Sequence, residues 1–490
     1  MDAQSLRSTI KSARDLMRKD AGLNTDVDRI PQLAWILFLK CFDDFEKKRD
    51  ALTKDYKKAI PEGLRWRDWA AEEDDKGSKI KVLTGPDLIK FVNGELFPKL
   101  SKLIGSKGLE QRDVIASIFK ELTNSLMSGY VLRQIVNLVN KVNFVNTDDV
   151  HTMAKLYEDM LVEMRDAAGS NGEFYTPRPV IRFIVNQIKP SLKKSEKILD
   201  PACGTGGFLV ESLGLMMKDV GPKADLKKLT NDTLYGIDKK PMPYLLGMMN
   251  MLLHEVDTPN IVRANTISKP LREISEKDQY EVIMTNPPFG GEEEEGLSSN
   301  LPVGMQTSDT ALAFLLYIMY SLKDGGRCGI ILPNGPLFAG GIAAKIKERL
   351  LDEFNLHTIV RLPNSVFAPY TGIATNILFF EKKGKTKEIK YYHMKLREGI
   401  KAYNKTNPMV YDDFEDVVKW FKKKEDGPNS WTVKVEDIKE LNLDIKNPND
   451  VEETLDLTPH ELIDQIMKDE KKTLELLQEV KDLIDKEIPK

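Results

Sequence analysis

The tetrapeptide Asn286-Pro287-Pro288-Phe289 follows the apolar run Val282-Ile283-Met284-Thr285. Its two prolines lock the backbone and remove two N–H donors. They leave the carbonyls of Asn286 and Pro287 as acceptors in fixed positions, next to the side-chain amide oxygen of Asn286. An amide oxygen beside a fixed carbonyl is what a planar –NH2 group needs to place both of its hydrogens. Phe289 adds a ring on which a flat ligand can stack. A proline-rich turn without chemistry is the plainer account. It loses ground because two further motifs precede this one at successive strand ends.

The first is Asp200-Pro201-Ala202-Cys203-Gly204-Thr205-Gly206-Gly207-Phe208, which follows a short strand and opens a helix expected over Phe208–Met217. Glycines at such a turn let the backbone approach a ligand closely and leave helix-terminal N–H groups free. The spacing is neither the dinucleotide fingerprint nor a P-loop, since no Lys-Ser/Thr pair follows. The acid at the strand end suits a cationic ligand end, such as a methionine ammonium. A turn with no ligand is the weaker reading for three glycines and Thr205 together. The second motif is Tyr235-Gly236-Ile237-Asp238, where an acid ends the next strand in the place of a ribose hydroxyl acceptor. Alone it says little, because strands often end in Asp to start a turn.

These motifs need strands to carry them. From about residue 170, short apolar runs alternate with helical patterns. Strands are predicted at Lys197–Leu199, Leu234–Ile237, Ile261–Ala264, Val282–Thr285, Cys328–Leu332, Thr358–Leu362 and Asn376–Phe380, with helices at Thr310–Leu322 and Ile342–Asp352. The alternation predicts an α/β domain with a mostly parallel seven-stranded sheet covered on both faces. The last two strands lack a helix between them, so an antiparallel hairpin is expected there.

Residues 1–165 read as one helical domain. Leu6, Ile10, Ala13 and Met17 share a face, Ile30 to Phe45 is a strongly apolar helix with Pro31 near its start, and Met153 to Met164 carries another stripe. These motifs fall within 166–395, and 396–490 forms a C-terminal region that ends in a helix over Thr458–Ile488. That helix has a narrow seam of Ile463, Ile466, Leu474, Leu477, Val480 and Ile484. Residues 452–490 hold 12 acidic and 6 basic side chains, net −6. A charged helix with one apolar seam needs a partner face, either on its own domain or on another subunit.

Composition narrows the class. A hydrophobic fraction of 41% with 30% charged residues is that of a globular chain. The longest apolar run, Ala311–Tyr320, is about half a bilayer span, and the first twenty residues show no secretory signal. Cys41, Cys203 and Cys328 are far apart, as are the five histidines, so reduced thiols, a cytoplasmic setting and no metal site are expected. The net charge of −4 lacks the basic surplus of a chain that grips DNA alone. Either nucleic acid is not bound, or a partner supplies much of the grip. The run Glu292-Glu293-Glu294-Glu295 would repel phosphates, so the loop from Gly290 to Gly296 is expected to move or order when DNA arrives.

Taken together, Asp200 to Gly207, Asp238 and Asn286 to Phe289 resemble the motifs of amino-methylating DNA methyltransferases. Gly172-Glu173-Phe174-Tyr175-Thr176-Pro177 resembles the cofactor motif that precedes the glycine-rich loop in one ordering class of these enzymes. The whole layout is similar to the modification subunits of type I restriction-modification systems. This resemblance implies a Rossmann-like methyltransferase domain after the helical one, S-adenosyl-L-methionine as cofactor, and N6 of a flipped-out adenine as the acceptor. It implies that Glu173, Phe174 and Thr176 line the cofactor site. Asp200, Cys203, Gly204, Thr205 and Gly206 would hold its methionine part, and Asp238 its ribose. Asn265 stands where many relatives carry an acid, and an amide there still hydrogen-bonds cofactor or base. Phe367 resembles the aromatic that stacks on the extruded base, although a loop phenylalanine packed into the core is an equal alternative. The resemblance also implies a specificity subunit flanked by two such chains, and a restriction/translocase subunit.

Carbon-5 cytosine methylation is disfavoured, because none of the three cysteines sits in a nucleophile's setting. Cytosine amine methylation, an RNA or protein-glutamine substrate, and a cofactor-binding scaffold without turnover stay open on the residues alone.

Overall fold

The structure is a computed structural model that describes residues 3–52, 54, 56–72, 82–105, 110–142, 176–221, 223–289, 296–368, 371–404, 406–450 and 459–487. Contacts divide the chain into a compact unit, Met1–Ile445, and a second unit, Lys446–Lys490.

Among the described residues before position 189 there are helices and no strand. Ala3–Met17, Asp26–Leu52, Gln111–Glu121 and Gly129–Asn140 are the main ones. Ile10, Ala13 and Met17 are buried, as the helical spacing requires. Asp26–Leu52 begins four residues earlier than the apolar pattern, so Pro31 lies within the helix near its start, where it removes a single backbone hydrogen bond. Trp35, Phe38 and Phe42 from this helix form a core with Phe97 and Phe119. The stripe from Met153 to Met164 lies outside the described residues.

The sheet follows. Its strands are β1 (Ile198–Asp200), β2 (Leu234–Asp238), β3 (Asn260–Arg263), β4 (Tyr280–Thr285), β5 (Leu322–Pro333), β6 (Asn355–Arg361), β7 (Thr375–Glu381), β8 (Glu388–His393) and β9 (Ser430–Lys434). All seven predicted strands form. The order across the sheet is β3-β2-β1-β4-β5-β7-β6-β8-β9. Strands β3 to β5 are mutually parallel, and β7 runs antiparallel between β5 and β6. The expected hairpin of the sixth and seventh strands is therefore present.

The sheet is nine-stranded and mixed, a correction to the seven mostly parallel strands expected. β8 pairs parallel to β6, and β9 antiparallel to β8. These strands were hidden because lysines and threonines interrupt their apolar residues, and because β9, at the sheet's edge, has one flank that needs no hydrophobic cover. The sheet thus continues past residue 395.

Strand order reverses between β1 and β4, and such a switch point opens a crevice beyond the carboxyl ends of the strands. The glycine-rich turn leaves β1 there, and Asn286 leaves β4. The helix Pro241–Leu253 is buried all round. It lies between β2–β3 and the N-terminal helices Asp26–Leu52 and Gln111–Glu121. Asp257, just past its end, accepts from Arg49 at 2.7 Å and from Gln111 at 2.8 Å. An ion pair joins Arg263 to Glu121. The helical region is thereby fastened to the sheet on the side of β2 and β3.

Candidate active site

β1 is buried along its length because parallel strands on both sides and helices on both faces leave it no solvent. Asp200 ends it at 1% exposure. Its carboxyl accepts the Thr285 hydroxyl at 2.7 Å and the Ala202 N–H at 3.2 Å. Burial pushes the Asp200 carboxyl up to about 7, and the nearby Asp238 adds to the rise.

The turn after Asp200 is held on three sides. The Cys203 N–H donates to the Ile237 carbonyl at 2.9 Å. The Gly204 N–H donates to the Asp238 carboxylate at 2.9 Å, whose other oxygen accepts the Lys240 N–H at the same distance. The Asn250 side chain donates to the Thr205 carbonyl at 2.9 Å. Gly204 and Gly206 take positive φ, and Gly206 begins the helix Gly207–Met216 in a left-handed conformation. A Cβ on Gly247 would come within 2.9 Å of the Gly204 carbonyl oxygen, so the helix and the turn touch through backbone alone. Gly204 and Thr205 remain half-buried, and a ligand can reach their backbone. The Cys203 thiol is buried, which raises it well above the usual thiol range and makes it no nucleophile.

Asn286 leaves β4 beside this turn. Its amide nitrogen donates to the Thr176 hydroxyl at 3.0 Å, while its amide oxygen is buried without a hydrogen-bond partner among the described residues. Pro287 is buried; Pro288 and Phe289 are half-buried. Phe289 meets Phe367 edge to face, with centroids 5.1 Å apart and planes at 90°. Phe367 itself is only 5% exposed, so the packed alternative is the arrangement present, and direct stacking on a base needs that ring uncovered. Asn265 uses its side-chain oxygen to accept the Ile267 N–H at 3.0 Å, a turn contact. Glu173, Phe174 and Gly290 to Glu295 lie outside the described residues.

The fold therefore gathers Thr176, Asp200, Cys203 to Gly206, Asp238 and Asn286 to Phe289 at one switch point. Three supporting residues were missed from sequence. Thr285 orients Asp200, Asn250 holds Thr205, and Arg178 donates to the Gly207 carbonyl at 3.3 Å with Glu211 3.7 Å away. A lone Asn in the apolar helix Pro241–Leu253 was the readable signal for Asn250, since a buried amide needs a partner.

Residues 148–456 match the family described as N-6 DNA Methylase, and residues 6–139 match the HsdM N-terminal domain. The chain is 42% identical to the type I restriction enzyme EcoEI methylase subunit of Escherichia coli, with 98% of each chain covered. A solved structure described as a modification subunit of a type I restriction enzyme from Vibrio vulnificus superimposes with a TM-score of 0.83 at 45% identity, covering 91% of this chain and 97% of that one. A chain from a structural study of assembly and conformational transition in a type I R-M system superimposes with a TM-score of 0.77 at 36% identity over both full lengths. This chain belongs to the N-6 DNA methylases, as a methylase subunit of the type I restriction enzyme family.

Proposed function

We propose that the chain carries its family's adenine-N6 methylation at the switch point between β1 and β4, with S-adenosyl-L-methionine as the methyl donor. The residues present suit that donor. Two acids end adjacent strands, and the glycine turn between them packs backbone to backbone on Gly247 and keeps Gly204 and Thr205 half-buried. Asp200, Cys203, Gly204, Thr205 and Gly206 would hold the methionine part and Asp238 the ribose, with Glu173, Phe174, Thr176 and Asn265 as further wall. When bound, the donor supplies a methyl group on a cationic sulfonium, which is a good leaving group.

The protein's task is then the nucleophile. An adenine amine delocalises its lone pair into the ring. The Asn286 amide oxygen and the Pro287 carbonyl each accept one amine hydrogen, which turns the nitrogen toward sp3 and frees its lone pair. Both acceptors are set by the fold before the base arrives, so this is preorganised electrostatics. Phe289 offers a face to the extruded base, and Phe367 supports that ring edge-on. No covalent enzyme intermediate is required. The observation that carries this reading is the buried amide oxygen of Asn286, which has no hydrogen-bond partner among the described residues. A buried acceptor left unmatched costs about 1–3 kcal/mol, and a substrate NH2 would remove that cost.

The partners follow from the same reading. A specificity subunit reads the bases, two chains of this kind flank it, and a restriction/translocase subunit completes the system in the cytoplasm. This division suits a chain with a net charge of −4, because the partner brings much of the phosphate contact. No helix among the described residues is long and apolar enough to cross a membrane.

The test is methyl transfer from labelled S-adenosyl-L-methionine to unmethylated DNA by the complex with its specificity subunit, beside the same complex carrying Asn286→Ala. Label recovered as N6-methyladenine, with loss of at least about a hundredfold in the variant, is expected. Near-normal turnover by the variant would overturn the role of Asn286.

A further inference from the structure

β4 and β5 are parallel neighbours, and Thr285, the last residue of β4, pairs with Ile330. β5 runs on from Ile330 to Pro333, which carries its end roughly 10 Å farther out at about 3.3 Å per residue. Asn286 to Phe289 leave β4 at the lower level. An adenine that reaches Asn286 has therefore passed the tip of β5, and the duplex it came from lies on the outer side of that tip.

The tip carries the short helix Asn334–Phe338, followed by the helix Ile342–Glu353. Pro336 and Leu337 are buried, but Phe338 is 57% exposed. Ile342 and Ile373 are exposed too, and the Asn334 N–H donates at 3.0 Å to the carbonyl of Ala374, next to Ile373. A single exposed apolar side chain needs no explanation of its own. What sets Phe338 apart is how firmly its backbone is held. The buried Lys347 ammonium donates to the carbonyls of Leu337 at 2.6 Å and Ala339 at 2.8 Å, the residues on either side of Phe338. An ammonium only donates and a carbonyl only accepts, so the sense of both bonds is fixed. The Leu337 carbonyl also accepts the Leu443 N–H at 2.9 Å. At the start of the helix, the Asn334 amide donates to the Asp444 carboxylate at 3.3 Å, and its oxygen accepts the Asn376 amide at 2.7 Å. Burying an ammonium is costly unless its bonds compensate, and here they hold the backbone that presents an exposed ring.

We propose that Phe338 is a wedge that enters the DNA base stack beside the target adenine and fills the gap its extrusion leaves. This rests on the reading of the crevice as the site of adenine methylation. Taking a base out of the stack costs free energy, and an apolar ring inserted at the step offsets part of it. A ring on a fixed backbone loses little freedom when it inserts. The surroundings suit DNA as the occupant. The helix Ile342–Glu353 has no acid in its first turn, and Lys345 near its start is exposed, a cation where phosphates flanking the wedge pass.

A wedge matters only while the target base is paired. The experiment measures single-turnover methylation by the complex with its specificity subunit, in wild type, Phe338→Ala and Phe338→Trp. Each is given two duplexes that carry the methylation site, one with the target adenine paired and one with an abasic position opposite it. Phe338→Ala is expected to be about tenfold or more slower than wild type on the paired duplex, and within about threefold on the unpaired one. Phe338→Trp, which keeps a large ring, should stay within about threefold on both. A Phe338→Ala rate equal to wild type on the paired duplex would overturn the proposal. So would equal losses on the two duplexes, since extrusion would then not be the step affected. Loss of the specificity subunit from Phe338→Ala on sizing would overturn it as well, by making the ring a protein contact. No N6-methyladenine from the wild-type complex would instead fail the underlying reading, whatever the Phe338 variants did.

Discussion

The Thr285 hydroxyl donates to the Asp200 carboxyl at 2.7 Å, and so ties the last residue of β4 to the last residue of β1. One of these residues precedes the candidate catalytic asparagine, and the other opens the glycine-rich turn. The two loops that must cooperate are thus joined at their roots, inside the sheet, where neither residue is exposed to solvent.

This bond sits on a carboxyl held at about 7 by burial, and the proposed role of Asp200 at the cofactor's cationic end therefore predicts a pH dependence of cofactor binding. A cationic ligand end favours the ionised carboxylate, so binding expels the proton. Affinity for S-adenosyl-L-methionine should rise as pH goes from about 6 to 7, approaching tenfold per unit below the transition, and level off above it. Folding responds in the opposite direction. A carboxyl raised above its unfolded value of 3.8 contributes stability in full below that value and loses it as pH climbs through about 7. Glu46, buried in the helix Asp26–Leu52 and also raised to about 7, adds to the stability slope without being among the residues proposed to hold the ligand. Calorimetric Kd values from pH 5.5 to 8, with Asp200→Asn beside wild type, would check this. A wild-type profile as flat as the variant's would rule out the linkage.

Much of this site was legible in the sequence, and what was missed has physical causes. Asp200 to Gly207, Asp238 and Asn286 to Phe289 are contiguous motifs at strand ends, and the short runs Lys197–Leu199, Leu234–Ile237 and Val282–Thr285 marked those strands. Thr285 looked like one more strand residue, because nothing local says that its hydroxyl meets an acid 85 residues away. Phe367 could be read as a base stacker or as core with equal ease, since burial depends on what packs above it. That turned out to be Phe289. β8 and β9 escaped because Lys390, Thr432 and Lys434 break their apolar pattern, and β9, at the edge, needs little apolar cover.

Gly247 offers a sharper test of the turn. In mid-helix, alanine is favoured over glycine by about 1 kcal/mol. Here its Cβ would lie 2.9 Å from the Gly204 carbonyl oxygen and 3.4 Å from Ile261. Overpacking of that kind costs about 1–3 kcal/mol, so the helix gain offsets only part of it. The backbone of the turn must give way, because the opposing atom is not the end of a flexible side chain. Gly247→Ala should therefore lower Tm by no more than a few degrees, yet weaken cofactor binding about tenfold or more. An unchanged Kd would mean that the turn's position against this helix does not matter to the ligand.

The C-terminal helix Pro459–Glu487 carries the last prediction. At about 1.5 Å per residue it is roughly 40 Å long. Ile463, Met467, Leu474 and Leu477 are all more than half exposed along it, inside an otherwise charged sequence. Exposed leucines scattered singly mean little, but a line of them on one long helix is what a partner helix covers. The specificity subunit is the partner proposed for it. Because Met1–Ile445 is a compact unit by itself, removal of residues 459–490 should leave cofactor affinity within about twofold and Tm nearly unchanged. The same truncation should abolish co-elution with the specificity subunit on sizing with light scattering. The double change Leu474→Glu and Leu477→Glu in the full chain should do the same, by placing charge where a dry contact is needed. A truncated chain that still assembled at full stoichiometry would move the docking surface to the helices of the N-terminal region.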